Sequence, residues 1–272
     1  MPRRSSTSPS SSPPALPRDT LETLYVRWNR REHIGRDPVQ FVRAWADPRD
    51  REVVALLAAS LAYGRVRQIV ASVSAALERL GTPPAASLAG APPARLRDRF
   101  GGFKHRFATG EHVAALLTGA RALIRRHGSL ESAFAQGLSA EDETFQPALR
   151  AFAARLDLAS PRPCGHLLTD PARGSACKRW HLMLRWLVRR DEVDPGGWAL
   201  PGPERLIVPL DTHMHRLATA LGATRRRSAD LAAALDITSA FRAVAPADPV
   251  RYDFCLTHAA IAGDARLTAL LQ

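Results

Sequence analysis

Along nearly the whole chain apolar positions recur at helical spacing, and no stretch alternates as a half-buried strand does. Leu21, Leu24, Tyr25 and Trp28 fall on one face of a helix expected over residues 20–32, with Asp19 as its cap. Asp37-Pro38 and Asp47-Pro48 read as cap-then-proline starts. The second of these opens a helix through Val53, Leu57 and Leu61 to Gly64, apolar nearly all round and therefore central. Val66, Ile69, Val70, Val73, Leu77 and Leu80 give an amphipathic helix stopped by Gly81, and a Pro/Ala-rich connection follows.

Thr109 caps a helix with Val113, Leu116, Leu117, Ala120, Leu123 and Ile124 on its buried face, stopped by Gly128, and Ser129 starts a short one. Ser139 with Asp142 has capping-box spacing ahead of Phe145, Leu149, Phe152 and Leu156. After a loop over 160–173, Ser175 is the expected N-cap of a helix carrying Lys178 in its first turn, with Trp180, Met183, Leu184, Trp186 and Leu187 facing the core. A β-branched run at 206–210 leads to Asp211 and Thr212. These open a helix with Met214, Leu217, Ala218 and Leu221 inward and Gly222 as its stop. Further helices are expected from about Ser228, over residues 237–244, and from Asp248-Pro249 with Val250, Phe254, Thr257, Ala260 and Ile261 inward. The fold class is all-α, and no period of the kind that builds a solenoid repeats.

At 272 residues the chain buries a sizeable core, as one domain over 19–272 or two intimately packed lobes, with the chemistry concentrated near 170–222. The first 18 residues are Ser, Pro and Arg without a hydrophobic centre. They read as a disordered tail that touches phosphates weakly, not as a secretory signal. The longest uncharged apolar run, residues 53–64, is about half of the roughly 20 residues that span a bilayer, so no membrane partner is expected. Cys164, Cys177 and Cys255 lack the spacing of a metal site or a disulfide framework, which fits a reduced cytoplasm; a monomer without cofactor is expected. The net charge of +12 directs attention to anionic partners, nucleic acid first.

Charge also isolates one residue. All but two of the 38 basic residues are arginine, the exceptions being Lys104 and Lys178. A lysine that persists under such a bias suits a site where an amine must lose its proton and attack carbon, which a guanidinium cannot do. An ordinary lysine titrates near 10.4, and a nucleophilic one has to be brought to about 7–8. A helix N-terminus, partial desolvation and the neighbouring cations Arg173 and Arg179 all disfavour an ammonium. Asp211 is a cap, an acid or both, because one carboxylate can accept backbone N–H bonds and still face a ligand.

The stretches GSACKRW and VPLDTHMHRLA resemble parts of the helix-hairpin-helix DNA glycosylases, the superfamily of endonuclease III and the 8-oxoguanine glycosylases. There a catalytic aspartate opens a helix ahead of Thr-His or Val-His, and the second helix of the hairpin bears a nucleophilic lysine. DPVQF, LAYGRVRQI, SACKR and PLDTH further resemble a bacterial family of that type. The resemblance implies a two-lobed helical fold and a base-excision activity on damaged duplex DNA, with strand cleavage through a lysine Schiff base. In that mechanism Lys178 attacks C1′ of an extruded nucleotide and Asp211 stabilises the oxocarbenium-like charge. Gly174, Ser175, Arg179, His213 and Arg225, Arg226 and Arg227 would contact DNA, and Trp198, Tyr63 and Gln68 would line the base pocket.

Three features depart from that pattern. The Leu-Pro-Gly-Val-Gly turn is replaced by DPARGSACK, Asp211 follows Lys178 by 33 residues, and no four-cysteine cluster loop follows Ile261. Two rival readings stay open: a nucleic-acid-binding module without excision chemistry, and a helical interaction protein whose charge reflects composition alone.

Overall fold

The computed structural model describes residues 16–271. Among them the order of helices is α1 (Arg18–Trp28), α2 (Val39–Arg43), α3 (Pro48–Ser60), α4 (Val66–Leu80), α5 (Pro84–Ala89), α6 (Pro93–Arg99) and α7 (Gly110–His127). It continues with α8 (Leu130–Ala135), α9 (Gln146–Ala159), α10 (Lys178–Val188), α11 (Thr212–Ala220), α12 (Leu231–Val244), α13 (Tyr252–Ala262) and α14 (Ala265–Leu270). One antiparallel hairpin, β1 (Lys104–His105) with β2 (Ala108–Thr109), joins α6 to α7. The protein is all-α apart from this hairpin, whose two-residue strands are too short to show any alternation. No helix among the described residues is long and apolar enough to cross a membrane.

The centre is α3, as its sequence implies. Asp47 accepts a hydrogen bond from Arg49 N at 2.7 Å, Pro48 fills the first turn, and residues 50–60 are all buried. Its three buried charged residues are spent on backbone groups of neighbouring elements. Asp50 accepts from Ala85 N at 2.8 Å, Arg51 donates to Gly196 O at 2.9 Å, and Glu52 accepts from Leu130 N and Glu131 N at the start of α8. Each such bond offsets the desolvation of the charge and fixes a second element against the central helix. Helices α2 and α10 pack on α3, α7 pairs with α9, and α1 pairs with α13.

Several expected boundaries move. Residues 1–15 of the expected tail lie outside the described residues, but Leu16 is buried in the core and Arg18 already begins α1. Helix α1 ends at Trp28, short of the expected residue 32, and a 3-10 turn over Arg31–Arg36 takes the chain to Asp37. Asp142 does accept from Ser139 N at 3.1 Å, yet that contact closes a turn ahead of α9, which starts only at Gln146. The helices expected from Ser228 and over 237–244 are one, α12, because Asp230 supplies the cap by accepting from Ala233 N at 2.9 Å. Ile261 is 76% exposed rather than inward, since the buried face of α13 runs through Tyr252, Cys255, Leu256 and Ala259. Gly263 ends that helix in the left-handed region and lets α14 fold back.

Candidate functional site

Two locally determined structures bring Lys178 and Asp211 together. Residues 170–178 form a compact reversal: Asp170 caps a 3-10 turn over Pro171–Arg173 by accepting from Ala172 N at 2.8 Å, and Gly174 turns the chain at φ 76°. Cys177 then adopts φ 45°, a left-handed value uncommon for a residue with a side chain, immediately before α10. The N-cap is therefore Cys177, not Ser175, and Lys178 is the first helical residue. An ammonium is disfavoured there, beside the unpaired N–H groups and the positive end of the helix dipole, unless an anion compensates.

Asp211 is that anion. The stretch before it is extended, with Leu206, Ile207, Val208 and Leu210 buried, and Val208 N donates to Thr238 Oγ1 of α12 at 3.0 Å. This anchoring delivers Asp211 to the start of α11, where Oδ1 accepts from His213 N and Met214 N, both at 2.9 Å. Oδ2 is left free for Lys178 Nζ at 2.6 Å. One oxygen caps the helix and the other faces the amine. Burial pushes the Asp211 carboxyl up, but the Lys178 ammonium and the two N–H donors outweigh it and hold the carboxyl below its ordinary range. Both side chains remain about a third exposed, 34% and 33%, so the pair is open to solvent.

The other expected residues divide. Gly174 and Ser175 are exposed, but Ser175 forms an antiparallel bridge with Asp230 and Gly174 O accepts from Leu231 N at 2.9 Å. The expected phosphate cradle thus has an acidic residue as its backbone partner. Arg179 is turned into the protein, donating to Ser60 O at 2.9 Å and Thr169 Oγ1 at 2.6 Å with its guanidinium 5.1 Å from the Tyr63 ring. It forms a wall rather than a free phosphate ligand. His213 is exposed and hydrogen-bonded to Arg216 at 2.9 Å. Arg225, Arg226 and Arg227 are exposed and are brought beside α11 by a bond between His215 Nε2 and Arg226 O at 2.9 Å. Of the three, Arg226 is paired with Asp236 at 2.7 Å.

Trp198 is not at the site. It is 6% exposed, its indole N–H donates to Glu52 at 3.2 Å, and its ring packs on Phe134, so the interior hydrogen bond and the aromatic contact hold it in the core. Tyr63 is partly buried and donates to His105 O at 3.0 Å, while Gln68 is exposed near the start of α4. The cavity behind Arg179 and Trp180 has a volume of about 10 Å³, room for one water at most. A larger open groove of about 680 Å³, lined by residues such as Glu22, Arg27 and Arg266, contains neither Lys178 nor Asp211. It is a shallow surface feature without convergent chemistry, so the paired side chains carry more weight than its size does.

Sequence reasoning overlooked the exposed Phe107, 66% accessible, and His166 against it. The available signal was the interleaving of aromatic and basic residues in FKHRF at 103–107, which has no helical period. It also overlooked Arg185 and Arg189, buried near the far end of α10 among Asp191, Asp194, Asp248 and Asp253. No cluster of His, Cys, Asp and Glu suited to a metal ion occurs among the described residues, and the three cysteines are free and buried.

No curated protein and no solved structure matches the chain. A family model described as a protein of unknown function (DUF2400) matches residues 37–262, from the Asp37 cap before α2 to the end of α13, and the chain belongs to that family.

Proposed function

We propose that the protein binds DNA and excises a damaged base, with Lys178 as the nucleophile and Asp211 as the carboxylate that stabilises positive charge at the sugar. The observation that carries this reading is the 2.6 Å approach of Lys178 Nζ to Asp211 Oδ2, at two helix N-termini that lie 33 residues apart in sequence. The division of labour within Asp211 supports it, since the capping oxygen orients the carboxylate while the other remains available to substrate. The turn over 170–177 directly before α10 stands where the resemblance to glycosylases places the hairpin. The site would work by release of the pair: as a nucleotide enters, Lys178 loses its proton to solvent and Asp211 stays ionised. The neutral amine then attacks C1′, the C1′–base bond breaks, and the base departs with its electron pair and takes up a proton. The adduct nitrogen then loses a proton, its lone pair forms the C1′=N bond as the C1′–O4′ bond breaks, and O4′ takes up a proton, which leaves a Schiff base.

One observation favours a binder without chemistry: Lys178 Nζ is engaged in an ion pair with that same carboxylate, and an engaged amine cannot attack. A panel of damaged duplexes with borohydride present separates the two. Excision predicts a covalent adduct lost in Lys178→Gln, whereas a binder gives none with any lesion. Phosphate contacts from Arg225, Arg226 and Arg227 predict that log affinity falls linearly with log salt. The slope should become shallower by roughly 0.9 for each contact removed when the three are replaced together.

A further inference from the structure

The β1–β2 hairpin is built to hold one aromatic ring out in solvent. Lys104 pairs with Thr109 and His105 with Ala108, so Arg106 and Phe107 are its two loop residues. Tight two-residue loops favour glycine or asparagine at positive φ, yet Arg106 takes φ 51°. Such a conformation persists only where the surroundings enforce it. Here they do. His105, fully buried, bonds through its ring to Ser72 Oγ at 2.8 Å and Tyr63 O at 3.1 Å, and Tyr63 Oη donates back to His105 O at 3.0 Å. The stem of Arg106 lies on Gly64, where a Cβ would come within 2.8 Å of Arg106 Cδ. The hairpin is pinned from below, and Phe107 is the one exposed large aromatic among the described residues.

Phe107 begins a strip of ring contacts that runs inward to Arg179, the residue that follows the proposed nucleophile in sequence. Its ring lies 5.5 Å from His166, the His166 ring lies 4.6 Å from Tyr63, and the Arg179 guanidinium covers Tyr63 one residue from Lys178. Residues 61–70, 101–110 and 161–169, which build the strip, contain Arg65, Arg67, Lys104 and Arg106, together with Arg162, which is paired with Glu111 at 3.4 Å. An exposed aromatic among mostly basic side chains suits a partner that offers flat π faces on an anionic backbone.

We infer that Phe107 and the strip behind it bind an unpaired nucleotide, so that the protein selects nucleic acid with an unstacked base over intact duplex. This rests on the DNA-binding reading above but not on excision.

The test compares three labelled DNAs at one low salt concentration: an intact duplex, the same duplex with a single unpaired 2-aminopurine, and the 2-aminopurine single strand. The wild-type protein should bind the two DNAs with an unpaired base more tightly than the intact duplex and should quench 2-aminopurine emission. Phe107→Ala should weaken binding to those two by roughly tenfold and abolish the quenching, with little change for intact duplex. Phe107→Trp should retain both properties. Because the ring is exposed, the Ala variant should melt with the wild type, which separates lost stacking from lost folding. Equal losses on all three DNAs, or unchanged quenching in Phe107→Ala, would overturn the inference. If Phe107→Ala changes nothing while borohydride still traps Lys178, only this inference fails. If wild-type protein binds none of the three, the nucleic-acid reading fails with it.

Discussion

The two ends of α10 carry the same kinds of group in opposite settings. At the N-terminus Lys178 has one carboxylate partner and about a third of its side chain in solvent. Toward the C-terminus Arg185 and Arg189 are 3% exposed and share four carboxylates from three segments: Asp191 and Asp194 in the following loop, Asp248 before α13, and Asp253 within it. Burial alone would lower the Arg189 guanidinium, but Asp194, Asp248 and Asp191 raise it well above its ordinary range and keep it charged. Arginine suits that place because its planar fork engages several carboxylates at once, whereas lysine offers a compact charge that can be given up. One end of the helix is therefore closed by its own partners, and the other is held by a single bond that a substrate can replace. The closed end fixes α10 to α13 and so sets where the open end stands.

The largest expected effect tests whether the closed end is structural. Asp194→Ala removes the carboxylate bonded to both Arg185 and Arg189 and leaves each buried cation short of a partner. Unfolding in urea should show a loss of about 3–5 kcal/mol, the usual cost of breaking a buried pair from one side. A loss comparable to that of a surface pair would erase the contrast between the ends.

Between them lies His181, 1% exposed, whose ring nitrogens have no hydrogen-bond partner. Burial pushes it down to about 4 from an ordinary 6.5, so the folded state keeps it neutral where the unfolded chain binds a proton. The unfolded state thus takes up more protons between those values, and stability falls as pH drops below 6.5 toward 4. From pH 7 to pH 5 the His181 share of that fall should be about 2 kcal/mol. His181→Gln should flatten the dependence by that amount in paired urea titrations. An unchanged slope would mean that the ring is solvated and that the middle of α10 belongs with its open end.

How much of this was legible before the fold was known depends on whether a feature is local. Asp47-Pro48, Thr109, Gly81 and Gly128 mark helix ends through their own backbone preferences, and they stand where their sequence places them. Lys178 and Asp211 could be singled out because a cation at a helix start and an acid opening the next helix are local anomalies. Their meeting is tertiary and is set by the buried extended stretch before Asp211. Trp198 was misplaced because a tryptophan in a Gly/Pro-rich loop reads as exposed, while its partner, Glu52, lies 146 residues away on α3. Asp230 was passed over as the α12 cap because Ser228 is an equally good capping residue two positions earlier. The pairing of Asp230 with Ser175 sets Asp230 at the helix start, where its side chain accepts from Ala233 N. Nothing periodic marks Phe107, since a two-residue loop leaves no pattern.

The smallest expected effect on stability belongs to the open end, and its smallness is the sharpest form of the comparison. A partly exposed pair contributes about 0–1 kcal/mol, so Lys178→Gln should melt close to the wild type. Asp211→Asn should do the same, because an asparagine oxygen can still accept from His213 N and Met214 N. The carboxyl is held below its ordinary 3.8, so its stabilising share is complete above that value and is lost only as pH falls through the lower folded value. Between pH 5 and 8 neither variant should show a pH-dependent loss of fold from this pair, which leaves chemistry as the readout. Lys178→Gln should give no borohydride adduct on a competent lesion while keeping most of its affinity for intact duplex. Asp211→Asn should lose more turnover than binding, since it removes the charge that meets the oxocarbenium-like sugar. Lys178→Arg keeps the ion pair and any phosphate contact but cannot lose its proton to form a Schiff base, so it should resemble the Gln variant in trapping and the wild type in stability. Full excision activity in the Arg variant would show that position 178 supplies only charge, and α10 would then differ between its ends in burial but not in chemical role.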